Sequence, residues 1–272
     1  GALIDGMVRL IEGQGGVVRC DAPVATIRTE DGKVTGVTLR SGERLDAPLV
    51  VSNADAINTY ENLLDRPRQR WTTKKAARSR SSMGLFGWYF GTEGVYPEIP
   101  HHLILMGPRY RGLLDDIFKK KILADDFSLY LHRPTATDPS LAPPGCETFY
   151  VLSPVPNLDA AVDWTTMAET YRARIAAALE ATVLPGLSER LKTSHMMTPL
   201  DFRDRLDSYR GAGFSLEPIL FQSAWFRPNN RSEEVEGLYL VGAGTHPGAG
   251  LPGVLSTAKG LEHLIPHAPR AA

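Results

Sequence analysis

Apolar residues Leu3, Ile4, Met7, Val8 and Ile11 fall on one stripe of a 3.6-residue period, which predicts an opening amphipathic helix that stops at Gly15-Gly16. The period then shortens to that of strands. A short strand over residues 17–20 leads to a meander with turns at Asp31-Gly32 and Ser41-Gly42, and an apolar run over 49–52 enters Asn53, a favourable helix cap. Helix, strand, meander, strand and helix in that order predict an α/β fold carrying a small antiparallel insertion.

From about Leu64 the texture changes. A basic stretch over 66–80 leads into "SMGLFGWYFG", "HHLILM", "FSLYLHRPTATD" and "TFYVLSPVP", all strand-like and aromatic-rich, and together they predict one antiparallel sheet. Helical patterns lie at 110–120 and, more strongly, at 163–184. A sheet with helices on one side is an α+β unit inserted into the first. The prolines and glycine of "SLAPPGC" mark a loop.

Composition narrows the partners rather than the fold. The 272 residues carry 30 Lys and Arg against 31 Asp and Glu, a net charge of -1, so no basic excess points to nucleic acid. Cys20 and Cys146 sit outside any C-x-x-C spacing, which argues against a disulfide framework or a zinc site and leaves a reduced, cytoplasmic compartment as the expectation. The seven histidines show no H-x-x-x-H or H-E-x-x-H spacing, so no metal site is expected, and His101-His102 reads as a strand entrance. No apolar run reaches the length of a membrane span, and no G-x-S-x-G elbow occurs. The chain opens without an initiator Met, straight into helical periodicity, from which the expectation is that something upstream is missing.

The most informative stretch is "GLYLVGAGTHPGAGLPG", six glycines and two prolines between Gly237 and Gly253. Its GAGLPG fits the letters G-x-G-x-x-G. A dinucleotide fold that starts there would need a helix, a second strand and an acidic residue about 20 positions on, and the nineteen residues after Gly253 do not allow it. A strand over 237–241, a bare turn at Gly242-Ala243-Gly244 and a helix from about Pro252 would instead bring backbone and free N–H groups against a ligand. Close packing of a helix over a sheet is the alternative use of such glycines.

"GLYLVGAGTHPGAGLPGVLSTAKG" resembles the C-terminal signature of bacterial-type phytoene desaturases, the FAD-dependent carotenoid desaturase family. "HHLILMGPRYRGLLDDIF", "DFSLYLHRPTATDPSLAPPGCETFYVLSPVPNL", "TPLDFRDRL" and "QSAWFRPNNR" resemble further stretches of that family in the same order, so the likeness spans nearly the whole chain. Members begin with a G-x-G-x-x-G strand and helix that this sequence lacks, and the expectation is therefore a C-terminal portion.

The resemblance implies a partial FAD-binding Rossmann-like domain plus an antiparallel-sheet substrate domain: residues 1–64 and 226–272 in the former, 65–225 in the latter. It implies that Gly242, Ala243, Gly244, Thr245, His246, Gly248, Gly250, Leu251, Pro252 and Gly253 complete the FAD pocket, and that the backbone near Val24, in "DAPVATI", holds the adenosine end. The implied reaction turns C–C single bonds of phytoene into the conjugated double bonds of neurosporene- or lycopene-like carotenoids by hydride transfer to the flavin. Phe86, Trp88 and Phe90 are candidates for an apolar tunnel wall, with a core strand as the alternative. Asp138, in "PTATDPS", is the candidate proton-transfer group, with turn formation as the alternative. The substrate dissolves only in bilayers, which implies docking at the inner membrane face, with the basic run 66–75 around Trp71 as the candidate contact. A related isoprenoid desaturase, carotenoid oxidase or amine oxidase-like flavoenzyme, or a non-catalytic fragment of one, are the alternatives.

Overall fold

A computed structural model of the chain describes residues 1–65 and 73–265. Helix α1 (Ala2–Gly13) forms as its periodicity predicts, yet none of its residues is buried. The strand expected at 17–20 does not form. Val17 is exposed there, no neighbouring strand pairs with the segment, and Arg19 is instead drawn into a bidentate ion pair with Glu43. The meander follows its turn signals: β1 (Val24–Glu30), β2 (Lys33–Leu39) and β3 (Arg44–Asp46) pair antiparallel in that order.

β4 (Val50–Ser52) leads into α2 (Ala56–Asn58), and the cap is Asp55 rather than Asn53. The Asp55 carboxylate accepts from the Ile57 N–H at 2.9 Å and the Asn58 N–H at 3.3 Å. Asn53 lies too early in the chain to do so, and its amide turns to Val241 O. After α3 (Thr73–Arg78) comes the second unit. It holds β5 (Gly84–Glu93), β6 (His102–Leu105), α4 (Tyr110–Asp115), β7 (Leu129–His132) and β8 (Cys146–Val155). α5 (Trp164–Thr182), α6 (Leu187–Arg190), β9 (Leu191–Met197) and α7 (Pro199–Leu206) complete it. Its five strands form one wholly antiparallel sheet in the order β6-β7-β8-β5-β9.

The two faces of that sheet have different fates. Alternation in β8 is strict, every second residue from Glu147 to Val155 being buried. On the buried face Phe86, Trp88, Phe90, Leu131, Phe149 and Val151 pack against Trp164, Tyr171, Ile175 and Leu179 of α5, whose spacing of seven, four and four residues puts them on one stripe. Asp163 caps that helix through the Thr165 N–H. Each fully buried apolar side chain stabilises the unit by about 1.5–3 kcal/mol.

One buried ion pair ties the far end of the sheet together. Arg133 Nε, just after β7, stands 2.9 Å from Glu147 Oε1, at the start of β8, and both side chains are buried. The same two residues capture the 96–99 loop, Arg133 donating to Tyr96 O at 2.6 Å and Glu147 accepting from the Tyr96 N–H at 2.9 Å.

The chain then returns to its first unit. β10 (Leu238–Leu240) lies parallel to β4, with Leu238 beside Val50 and Ser52 beside Leu240, and α8 (Leu251–Gly260) follows the glycine turn. The fold is therefore α/β with an antiparallel α+β excursion between β4 and β10.

Glu147→Ala leaves the Arg133 cation buried without its carboxylate, and is expected to lower unfolding free energy by about 3–5 kcal/mol in urea melts.

Candidate functional site

Because β4 and β10 are parallel, their carboxyl ends lie side by side, the position where open α/β sheets form ligand crevices. Asn53-Ala54-Asp55 leaves one strand and the glycine turn leaves the other. A cleft of 290 Å³ opens between them, bordered by Asn53, Asp55, Ser215, Gly242, Gly244 and Val254.

Close approach explains the bare backbone. Gly242 has φ +103°, and a Cβ on it would stand 2.4 Å from Asn53 Nδ2. A Cβ on Gly244 would stand 2.8 Å from Ser215 Oγ and 3.2 Å from Ala56 N. The Gly242 N–H donates to Thr257 Oγ1 in α8 at 2.9 Å, so helix and turn hold each other. Gly250 differs: with φ +95° it has open space where a Cβ would stand, immediately before an α8 N-terminus that has no side-chain cap. First-turn N–H groups at such an end favour an anion or an electron-rich ring edge.

Thr245 is placed differently from its expected contact with a ligand. It is buried, its hydroxyl donates to Gly242 O at 2.9 Å, and Asn230 Nδ2 lies 3.3 Å away, so the side chain pins the turn from within. His246 is exposed, and its N–H donates to Pro228 O at 3.1 Å. Ala243, Leu251, Pro252 and Gly253 continue the turn into α8, with Gly248 packed against Arg227. Val24 opens β1 opposite Leu39, half-buried, beside a register shift before Thr26.

Two charged groups that sequence reasoning missed face this region. Arg227 is buried, and its guanidinium donates to Ala243 O at 2.7 Å and to Leu216 O at 2.9 Å. Burial pushes its pKa down and the Asp55 charge pushes it back up. Burial also raises the Asp55 carboxyl above the usual carboxylate range, against hydrogen bonds that favour its ionised form. A signal existed in both cases: an Asn and an Asp within three residues of a strand end for Asp55, and an Arg between an aromatic residue and a proline for Arg227.

Arg227 also borders a second cleft, of 380 Å³, with Met83, Phe118, Phe214, Leu216 and Pro247. The bent segment 213–216 separates the two: Gly213 and Ser215 line the first, Phe214 and Leu216 the second. Backbone bonds from Ser82 N–H to Ser215 O (2.7 Å) and from Gly213 N–H to Met83 O (2.8 Å) join this segment to the start of β5.

The aromatic residues expected to wall a tunnel are corrected by the sheet's handedness of burial. Phe86 and Trp88 are fully buried beneath α5, with Phe86 against Trp164 and Tyr171, because even-numbered β5 residues face that helix. Phe90 belongs to the same core and only borders an open cleft. That 480 Å³ cleft lies on the opposite face, where the Tyr89 and Tyr150 rings stack at 4.7 Å beside His195 and Thr193. Burial, with the neighbouring Tyr89 and Tyr130 phenols, holds the Tyr150 hydroxyl well above its ordinary pKa and so protonated. Asp138 takes the turn-forming alternative. Its exposed carboxylate accepts from Ser140 N–H at 3.1 Å and Ser140 Oγ at 2.6 Å, and it borders none of these three clefts. The basic run at 66–72, with Trp71, lies outside the described residues.

The strand, glycine turn and helix thus stand at the end of a parallel pair beside a buried cation, and residues 1–260 match the flavin containing amine oxidoreductase family, to which the chain belongs. Within it, the chain is 55% identical over 276 residues to a neurosporene-forming phytoene desaturase of Cereibacter sphaeroides, covering 99% of this chain and 53% of that protein. It is 49% identical over 268 residues to a lycopene-forming phytoene desaturase of Pseudescherichia vulneris, covering 97% and 54% respectively. The chain thus spans about half the length of the curated relatives it matches. Among solved structures, an oxidoreductase from Methanosarcina mazei shares the fold with a TM-score of 0.63 at 20% identity, over 96% of this chain and 53% of that one.

Gly244→Val drives a side chain into Ser215 and Ala56, a strain of about 1–3 kcal/mol. Flavin fluorescence titrations are expected to show binding weakened about tenfold or more, while Gly260→Ala, in open space at the far end of α8, leaves it unchanged.

Proposed function

We propose that this chain forms the substrate-facing part and the closing turn of a FAD-dependent desaturase that converts phytoene into conjugated carotenoids of the neurosporene or lycopene type. The observation that carries the reading is the identity of about half of all residues, along nearly the whole chain, to phytoene desaturases. In this reading 1–64 and 226–272 belong to the cofactor domain and 65–225 to the substrate domain.

The residues present fit the cofactor. Gly242 and Gly244 leave backbone bare at the crevice, Gly250 leaves open space at the α8 N-terminus, and Val24 offers strand-end backbone for the adenosine part. Bound FAD supplies the hydride acceptor. Arg227, a cation fixed by two carbonyls, favours negative charge that builds up beside the turn.

An apolar polyene offers almost no hydrogen bonds, so it must be held by shape. Tyr89 and Tyr150 give a flat aromatic face, and Gly87 keeps it flat, since its Cβ would sit 3.5 Å from both rings. On the same face the buried Leu85 lies directly against Gly213, so the aromatic side of β5 packs onto the segment that borders the glycine turn. In the stretch of chain between the second cleft's Pro218 and Arg227, Leu220, Phe221 and Trp225 are 74%, 75% and 80% exposed and Phe226 is exposed as well. An apolar patch of this kind fits a bilayer surface from which such a substrate is drawn. Among the described residues no helix is long and apolar enough to cross a membrane, so the proposed contact is peripheral.

The test is reconstitution with FAD and phytoene-loaded liposomes, followed by chromatography of the polyenes. Coloured products are expected, and flavin binding without any desaturation overturns the reading, while preference for a shorter polyene or an amine identifies a relative instead. Tyr89→Ala combined with Tyr150→Ala is expected to lower turnover about tenfold or more through lost apolar contact. Phe221→Ser with Trp225→Ser is expected to reduce co-sedimentation with liposomes and leave flavin binding intact.

A further inference from the structure

Strand pairing assembles a group that spacing along the chain concealed. His102 of β6 is the register partner of His132 of β7, so their side chains share one face at the sheet edge. His101 joins them from the residue before β6, its Nε2 lying 2.8 Å from His132 Nε2. One ring nitrogen from each of the three histidines lies within 4.8 Å of the others.

We propose that His101, His102 and His132 bind a single divalent transition-metal ion of the borderline class, Zn²⁺ foremost. Three independent features support this. First, the outer nitrogens are already engaged: His101 Nδ1 contacts Thr137 Oγ1, and His102 Nδ1 lies 2.7 Å from the Tyr130 hydroxyl. Hydroxyls in that position orient the His101 and His102 rings and leave their Nε2 atoms as the coordinating atoms. Secondly, the cluster contains no carboxylate, and an all-imidazole set favours zinc, copper or nickel over magnesium or calcium. Thirdly, two of the rings are half-buried and His102 is exposed, leaving an open side for a water as fourth ligand, the pattern of a three-histidine site.

An ion would move the rings in two senses: at ordinary Zn–N lengths two tetrahedral ligand nitrogens stand about 3.3 Å apart, so the His101–His132 pair, now at 2.8 Å, opens by about half an ångström, and ligand atoms as far as 4.8 Å apart close by up to about 1.5 Å through side-chain rotation. The backbone beneath is held firmly, since Arg133 N–H donates to His101 O at 2.9 Å and the Arg133 side chain is locked to Glu147. An ion there would clip the edge strand β6 to β7 and, through Thr137, to the turn that carries Asp138.

The test uses the full chain without an affinity tag, stripped with chelator and then titrated with Zn²⁺ by calorimetry and with Co²⁺ by visible absorption. One equivalent of each is expected, with tetrahedral Co²⁺ bands that Zn²⁺ abolishes and a melting temperature raised by Zn²⁺. His102→Ala is expected to weaken binding about tenfold or more, as is His132→Gln, while His263→Ala changes nothing. His102 is exposed, so its variant decides the matter should His132→Gln fail to fold. Absence of saturable binding, or binding indifferent to His102→Ala, overturns the proposal.

Discussion

The parallel pairing of β4 with β10 is the constraint on which the rest of the molecule hangs. It brings Val50 beside Leu238, so everything between must leave and return to the same place. The antiparallel sheet is such an excursion, and its first strand is tied back by the bonds between 81–84 and 212–216. Both loops that leave the parallel pair emerge at one end, which is why Asp55 and the glycine turn meet although 188 positions separate Asn53 from Val241. Loop-closure entropy opposes a pairing across such a distance, and the packed core beneath α5 lies within that loop and offsets part of it.

Most elements were legible in the sequence because each depends on local chemistry. The Asp31-Gly32 turn, the helix that starts after Asp163 and the glycines ahead of α8 are set by a few neighbouring residues. The strand expected at 17–20 failed for the opposite reason: a strand exists only with a partner, and apolar alternation does not supply one. β9, with the polar and exposed run Lys192-Thr193-Ser194-His195, gave no apolar signal there, and pairing to β5 makes it a strand.

The candidate site was half legible. Its backbone part was visible because glycine leaves few other uses. Its side-chain part was not, since period two shows that residues alternate between faces but not which face a helix will cover. Phe86, Trp88 and Phe90 are the more apolar set and went to the core, while Tyr89 and Tyr150, each with a polar end, stayed on the open face. Arg227 was hidden because a buried cation is recognised by the carbonyls around it, and those come from Leu216 and Ala243.

The segment 213–216 is a partition one chain thick. Its alternate residues border opposite clefts, and its backbone bonds to the start of the sheet hold it in place. Whatever fills one cleft therefore presses on a wall that the other cleft shares, and the two cannot be reshaped independently. A change of shape on the apolar side would be felt at the glycine turn, so the two clefts of this fold are bound to change together.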